Sequence, residues 1–258
     1  MYVKRYGNGE RIVFGVHGWG GDHHTFGPLV SYLPGDVTLF SADLPAYGQS
    51  ADPAAWDIEV IAEEVAAAVR KNAGDSCTLM GNCSGAIVGL LAAQKLQGSI
   101  GRLVLIDPFA YLPWYLRVFT AGEFGRRAYT ATFASSFGRR LTNMALKSKR
   151  TADTDLTGSF ARIDHEATLR YLVLLGEISS IERFGALNLP TDILYGERTF
   201  AAVRKSMVLW KGIWPHARTW ELAGAGHLPI EEASSEVARI AFGPVPDTTM
   251  AVNHYVKG

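Results

Sequence analysis

Short apolar runs rich in β-branched residues alternate along this chain with stretches of helical spacing, and few architectures accept such an alternation. Residues 12–16, 37–42, 77–80, 103–106, 192–195 and 219–222 read as strands. Residues 26–33, 58–69, 199–210 and 231–242 read as helices, and another follows the third strand and ends near residue 96. Within 58–69, Ile58, Ile61, Ala62, Val65, Ala66 and Val69 fall on one helical face. Between residues 109 and 185 the alternation stops. That insert holds 12 of the 28 aromatic residues and 11 basic against 7 acidic residues, so it forms a separate aromatic, helical layer. The expected fold is α/β: a mostly parallel, doubly wound sheet with a helical cap inserted after the strand that ends at Asp107. The expected division is 1–108 for the first part of the core, 109–185 for the cap and 186–258 for the second part. Sheets of this kind bind ligands beyond the carboxyl ends of their strands, so the residues just after each strand are the suspects.

Composition narrows the function classes. Hydrophobic residues make up 48% of the 258 and charged residues 19%, enough for a sizeable core. Charge balances at 25 basic against 25 acidic residues, which argues against nucleic acid as the main partner. The longest apolar stretch, residues 86–93, is far too short to span a bilayer. The first residues form no secretory-type apolar segment, and a cytoplasmic location is expected. Two cysteines, Cys77 and Cys83, make neither a disulfide framework nor a C-x-x-C motif. No cofactor or metal is expected.

The third strand turns into its helix through Gly81-Asn82-Cys83-Ser84-Gly85. A strand that passes directly into a helix holds the middle residue of such a turn in a strained conformation, with its side chain projecting. The residues two before and two after must be small. Glycines at 81 and 85 frame position 83; Ser84 would have Asn82 and Ala86 in those places. The register makes Cys83, and not Ser84, the presented residue, and a helix N-terminus favours its thiolate. Cys77, inside the strand, is expected in the core.

This turn resembles the nucleophile elbow of the α/β-hydrolase superfamily, in its lidded branch, with cysteine in place of the usual serine. Three further segments support the resemblance. His17-Gly18-Trp19-Gly20 follows the first strand where the superfamily places its oxyanion loop, which implies the amides of Trp19 and Ser84 as the oxyanion hole. His17 itself is expected to be structural. Asp43-Leu44-Pro45-Ala46-Tyr47-Gly48-Gln49-Ser50 matches a structural turn of the superfamily, with Ala46 where glycine is commoner. Ala223-Gly224-Ala225-Gly226-His227 forms a flexible loop after the last strand and presents His227 as general base and acid. The acid departs from the usual pattern, because Gly196-Glu197-Arg198-Thr199 has threonine where the carboxylate is common. Some lidded members carry the acid after the strand that follows the nucleophile helix, which here is Asp107; Glu197 is the alternative, and an absent acid is the third.

The expected reaction is attack by Cys83 on an acyl ester, lactone or thioester, with a covalent acyl-cysteine intermediate. Acyl transfer or cyclisation from a coenzyme A or carrier-protein thioester is the alternative within enzymes, and a catalytically silent binding protein the alternative outside them. Phe109, Tyr111, Trp114 and Tyr115, with Phe119 and Phe124, are expected to line the substrate pocket. Residues 126–150 carry seven basic and no acidic side chains, a surface suited to an acidic acyl carrier protein or the phosphates of coenzyme A.

Overall fold

The computed structural model describes residues 1–245 other than Asp75, Gln97 and Ser179; the last thirteen residues of the expected second core part lie outside the described residues. Seven strands form one sheet: β1 (Val3–Tyr6), β2 (Arg11–Val16), β3 (Val37–Ala42), β4 (Cys77–Asn82), β5 (Ile100–Ile106), β6 (Thr191–Gly196) and β7 (Arg218–Leu222). Their spatial order is β1-β3-β2-β4-β5-β6-β7, parallel except for β1, which runs antiparallel to β3. The sequence reading missed β1. Its Val-Lys-Arg-Tyr run is short and largely polar because an edge strand needs few buried side chains.

Helices α1 (Ile58–Ala73) and α2 (Ser84–Lys95) cover one face of the sheet with α7 (Ala201–Ile213), and α9 (Ser234–Ala241) packs on the other. Asp57 begins α1 by accepting the amides of Glu59 and Val60. Three expected helices differ in detail. The helix expected at 26–33 is a 3-10 helix, His23–Tyr32, which holds Pro28. The helix expected from 199 starts instead at Ala201, since the Thr199 side chain is used elsewhere. The last helix is broken at Ala233 into α8 (Pro229–Glu232) and α9.

Between β5 and β6 the described residues hold helices and no strand: α3 (Trp114–Arg117), α4 (Gly122–Tyr129), α5 (Ser136–Ala145) and α6 (His165–Glu177). Tyr129, Phe133 and Phe160 form a small aromatic core of their own in this layer. One buried charge cluster locks the sheet to its last helix. Arg102 on β5 and Arg218 on β7 both bond to Asp192 on β6, and Arg102 also donates to the carbonyls of Ile240 and Gly243. Arg102 and Asp192 are essentially inaccessible to solvent. No described helix is long and apolar enough to cross a membrane.

Candidate active site

The sheet turns directly into a helix at Cys83, the residue between β4 and α2. Its φ of 52° lies in the left-handed region, and its amide donates to Ile106 O at 2.8 Å. The neighbouring glycines are there for want of space. A Cβ on Gly81 would stand 2.5 Å from the Ala86 Cα, and one on Gly85 would stand 2.1 Å from His17 O. Ser84 begins the helix and Cys83 caps it. Cys77 is buried in β4, where burial pushes its thiol up to about 12.

Three chain segments converge on the cysteine. Its Sγ lies 3.8 Å from His227 Nε2, and His227 Nδ1 lies 2.5 Å from Asp107 Oδ2. Asp107 follows β5 with φ 49° and is fully buried. Its Oδ1 accepts the Gly196 amide at 3.0 Å, and its Oδ2 accepts the Thr199 hydroxyl. Thr199 Oγ1 is also 3.3 Å from His227 Nδ1. Glu197 points elsewhere, accepting the Gly224 amide at 2.7 Å on the exposed side of the loop. Burial works against a proton on His227, but the bond to Asp107, the contact with Cys83 and their charges outweigh it and raise its pKa to about 10.

The histidine loop is anchored from the cap. His227 N donates to Lys149 O at 2.7 Å, and Lys149 Nζ reaches Thr199 O at 3.2 Å. Glu232 accepts from Gly226 N with one oxygen and from Thr151 N and Thr154 Oγ1 with the other. Sequence reading missed Thr199, Lys149 and Glu232 as supports. The only available signal was the acidic turn after His227, which identifies a helix start and not a partner.

His17 is turned into the fold. Its Nδ1 donates to Gly18 O, its Nε2 accepts the Leu44 amide, and burial lowers its pKa. Asp43 is likewise consumed by structure, accepting from His23 and from the Gln49 amide. Asp22, His23 and His24 each offer a ligand atom within 4.8 Å of the others, outside this convergence; His23 is engaged by Asp43 and His24 by Asp22. Among the described residues, the amides of Trp19 and Ser84 donate to no protein acceptor. The Trp19 indole donates to Thr168 O and rests edge-on against Phe133 and Phe160, which ties this loop to the cap.

A cavity of about 60 Å³ opens beside the sulfur. A single water needs roughly 10–15 Å³, so the space has room for several water-sized groups. Trp19, Cys83, Ser84, Phe109 and Tyr111 line it, together with Ile87, Leu116, Leu172, Leu175, Ile178 and Ile181. The expected aromatic lining is therefore corrected. Trp114 is 77% exposed and Phe124 71% exposed. Phe119 packs on Tyr129 and Phe133, and Tyr115 lies off the cavity wall against Phe200. Because α3 is a single turn, Pro113 and Leu116 face the cavity while Trp114 turns away. Aliphatic residues of α6 and the segment after it complete the wall.

A family model for the alpha/beta hydrolase fold matches residues 12–234, nearly the whole of the described chain. The chain belongs to the α/β-hydrolase family. Among curated proteins, this hydrolase is 26% identical over 247 residues to a pimeloyl-[acyl-carrier protein] methyl ester esterase of Salmonella agona (strain SL483), covering 89% of this chain and 92% of that one. Among solved structures it is similar to a thermophilic esterase from Thermogutta terrifontis (TM-score 0.74, 19% identity, 93% of this chain and 90% of that chain). It is also similar to the enol-lactonase from Burkholderia xenovorans LB400 (TM-score 0.71, 17% identity, 93% and 94%). At these identities the solved structures establish the shared α/β-hydrolase fold, including its mostly parallel seven-stranded sheet.

Proposed function

We propose that this α/β hydrolase cleaves acyl esters through Cys83, with His227 as base and then acid and Asp107 as the residue that orients the imidazole. The single observation that carries the reading is the continuous line from Cys83 Sγ to His227 Nε2 and from His227 Nδ1 to Asp107. In the first step the sulfur, its proton already on His227, bonds to the acyl carbon. The oxyanion is held by the amides of Trp19 and Ser84. As the tetrahedral species collapses, the carbon–oxygen bond breaks and His227 returns the proton to the leaving alcohol, leaving acyl-Cys83. Water attacks the thioester with His227 as base, and the acid and free thiol are released.

An ester of an acyl group on a carrier protein is the substrate class favoured here. The similar curated proteins are named for such an ester. The cap also presents the exposed apolar residues Phe137, Leu141 and Met144 on α5, within the basic run 126–150. An acidic carrier would meet that face with complementary charge. Lactones and thioesters remain within reach of the same chemistry, and a thioester intermediate also suits passage of the acyl group to another nucleophile.

Intact-mass spectrometry after incubation with an activated acyl ester tests the reading. The expected result is an acyl adduct on the native protein, its absence from Cys83→Ala, and a low yield in His227→Ala. An adduct that persists in Cys83→Ala, or none with any donor, overturns it.

A further inference from the structure

The Gly18–Trp19 peptide abuts the elbow: a Cβ on Gly18 would stand 2.9 Å from the Cys83 Cβ. Its oxygen end is held by the core. Gly18 O accepts from the Gly21 amide at 3.0 Å and from His17 Nδ1 at 2.8 Å. A trans peptide is planar, so a fixed oxygen sends the Trp19 N–H the opposite way. Beyond that peptide the backbone supplies no such hold. Neither Trp19 nor Gly20 takes part in a backbone–backbone hydrogen bond among the described residues, and Gly20 stands at φ 76°. The side chain of Trp19 does the holding instead. Its indole N–H donates to Thr168 O on α6 at 2.8 Å, and its ring packs edge-on against Phe133 and Phe160 at 5.1 and 4.9 Å between centroids. The acceptor is a fixed point of the cap, since Thr168 is buried and its hydroxyl donates to Asp164 O. Trp19 also lines the cavity with Cys83 and Ser84.

We infer that the Trp19 indole is a positioning group: its bond to Thr168 O holds the Trp19 amide in the direction of the acyl oxygen, so that the cap takes part in stabilising the oxyanion. This inference rests on the Cys83 reading of the site, with the Trp19 amide as an oxyanion donor. Such a donor acts on charge that develops in the transition state, and it works only when aimed in advance. Attack by the same sulfur on a saturated carbon makes no oxyanion and has no use for that amide.

The test separates two reactions of Cys83 in native protein and in Trp19→Phe, which keeps a ring and loses the N–H. Acylation by an activated acyl ester passes through an oxyanion. Alkylation by iodoacetamide does not: the sulfur–carbon bond forms as the carbon–iodine bond breaks, and iodide leaves. Both rates are read by intact mass, with Cys83→Ala as the blank. A misplaced group can cost about a hundredfold; acylation is expected to slow about tenfold or more and alkylation to stay within about twofold. A second variant carries benzothienylalanine at position 19, which exchanges the N–H for sulfur at nearly constant size, and the same split is expected from it. Equal slowing of both reactions, or unchanged acylation, in this second variant overturns the inference while leaving the nucleophile intact. A native protein that is alkylated at Cys83 but takes up no acyl group overturns the reading of the site, and the inference with it.

Discussion

Thr199 and His227 converge on the same carboxylate oxygen of Asp107: the threonine hydroxyl donates to Oδ2, and the imidazole Nδ1 lies 2.5 Å from it. The threonine stands where many members of the superfamily keep their acid. Here it serves a carboxylate delivered by another strand, and the Gly196 amide fills the second oxygen. If Asp107 orients the imidazole, Asp107→Asn is expected to reduce kcat/KM by about a hundredfold or more. Glu197→Gln is expected to stay within about twofold, because Glu197 serves only the Gly224 amide. Steady-state kinetics on one ester decides the ranking, and the reverse order refutes it.

Replacing Thr199 by Val removes one donor to a buried carboxylate. Hydrogen bonds to charged groups contribute about 1.5–3 kcal/mol, so Thr199→Val is expected to lower stability by an amount of that order in urea titration. Its activity should fall less than that of Asp107→Asn, since the Asp107–His227 contact remains.

The pH dependence of stability follows from the raised pKa of His227. Unfolded, the group titrates near its ordinary value of about 6.5; folded, it holds its proton up to about 10. Its contribution is therefore complete below about pH 6.5 and is lost as pH rises through about 10. Urea midpoints across that window should decline, and the decline should flatten in Asp107→Asn.

The buried Arg102–Asp192 pair offers a test of the fold. Removing one charge leaves the other stranded, which costs about 3–5 kcal/mol. Arg102→Met is expected to lose that much by chemical denaturation, in part by releasing the carbonyls of Ile240 and Gly243 at the end of α9.

Ala46 lies at φ 63°, one of three non-glycine residues with positive φ among those described. Left-handed backbone costs an alanine about 1–2 kcal/mol, and glycine gives back about 0.5–1 kcal/mol in chain entropy. Ala46→Gly is expected to raise stability by about 0.5–1 kcal/mol, measured by the same titration.

The parts legible in the sequence were those set by local pattern. The parallel strands announced themselves by β-branched runs, and the elbow by glycines whose Cβ atoms would collide with Ala86 and His17. Cys83, His227 and Asp107 all follow strand ends, but the choice of Asp107 came from the resemblance, with Glu197 and no acid left open. What stayed hidden was long-range or non-periodic. Nothing local marks Arg102 as the partner of Asp192, ninety residues away. Trp114 and Phe124 carry the composition of a pocket, yet their side chains face solvent because one short helical turn offers only part of its circumference to the interior. The aliphatic wall from α6 carries no local mark that separates pocket lining from ordinary helix core.

The hydrogen bond from the His227 amide to Lys149 O makes part of the cap a support of the imidazole. The same short stretch of roof is stitched through Glu232 to the base of the histidine hairpin. Any swing that lifts residues 149–154 must tear those stitches and unseat the imidazole at the same moment. A change in residues 149–154 or at Glu232 therefore reaches the imidazole without touching the reacting groups themselves.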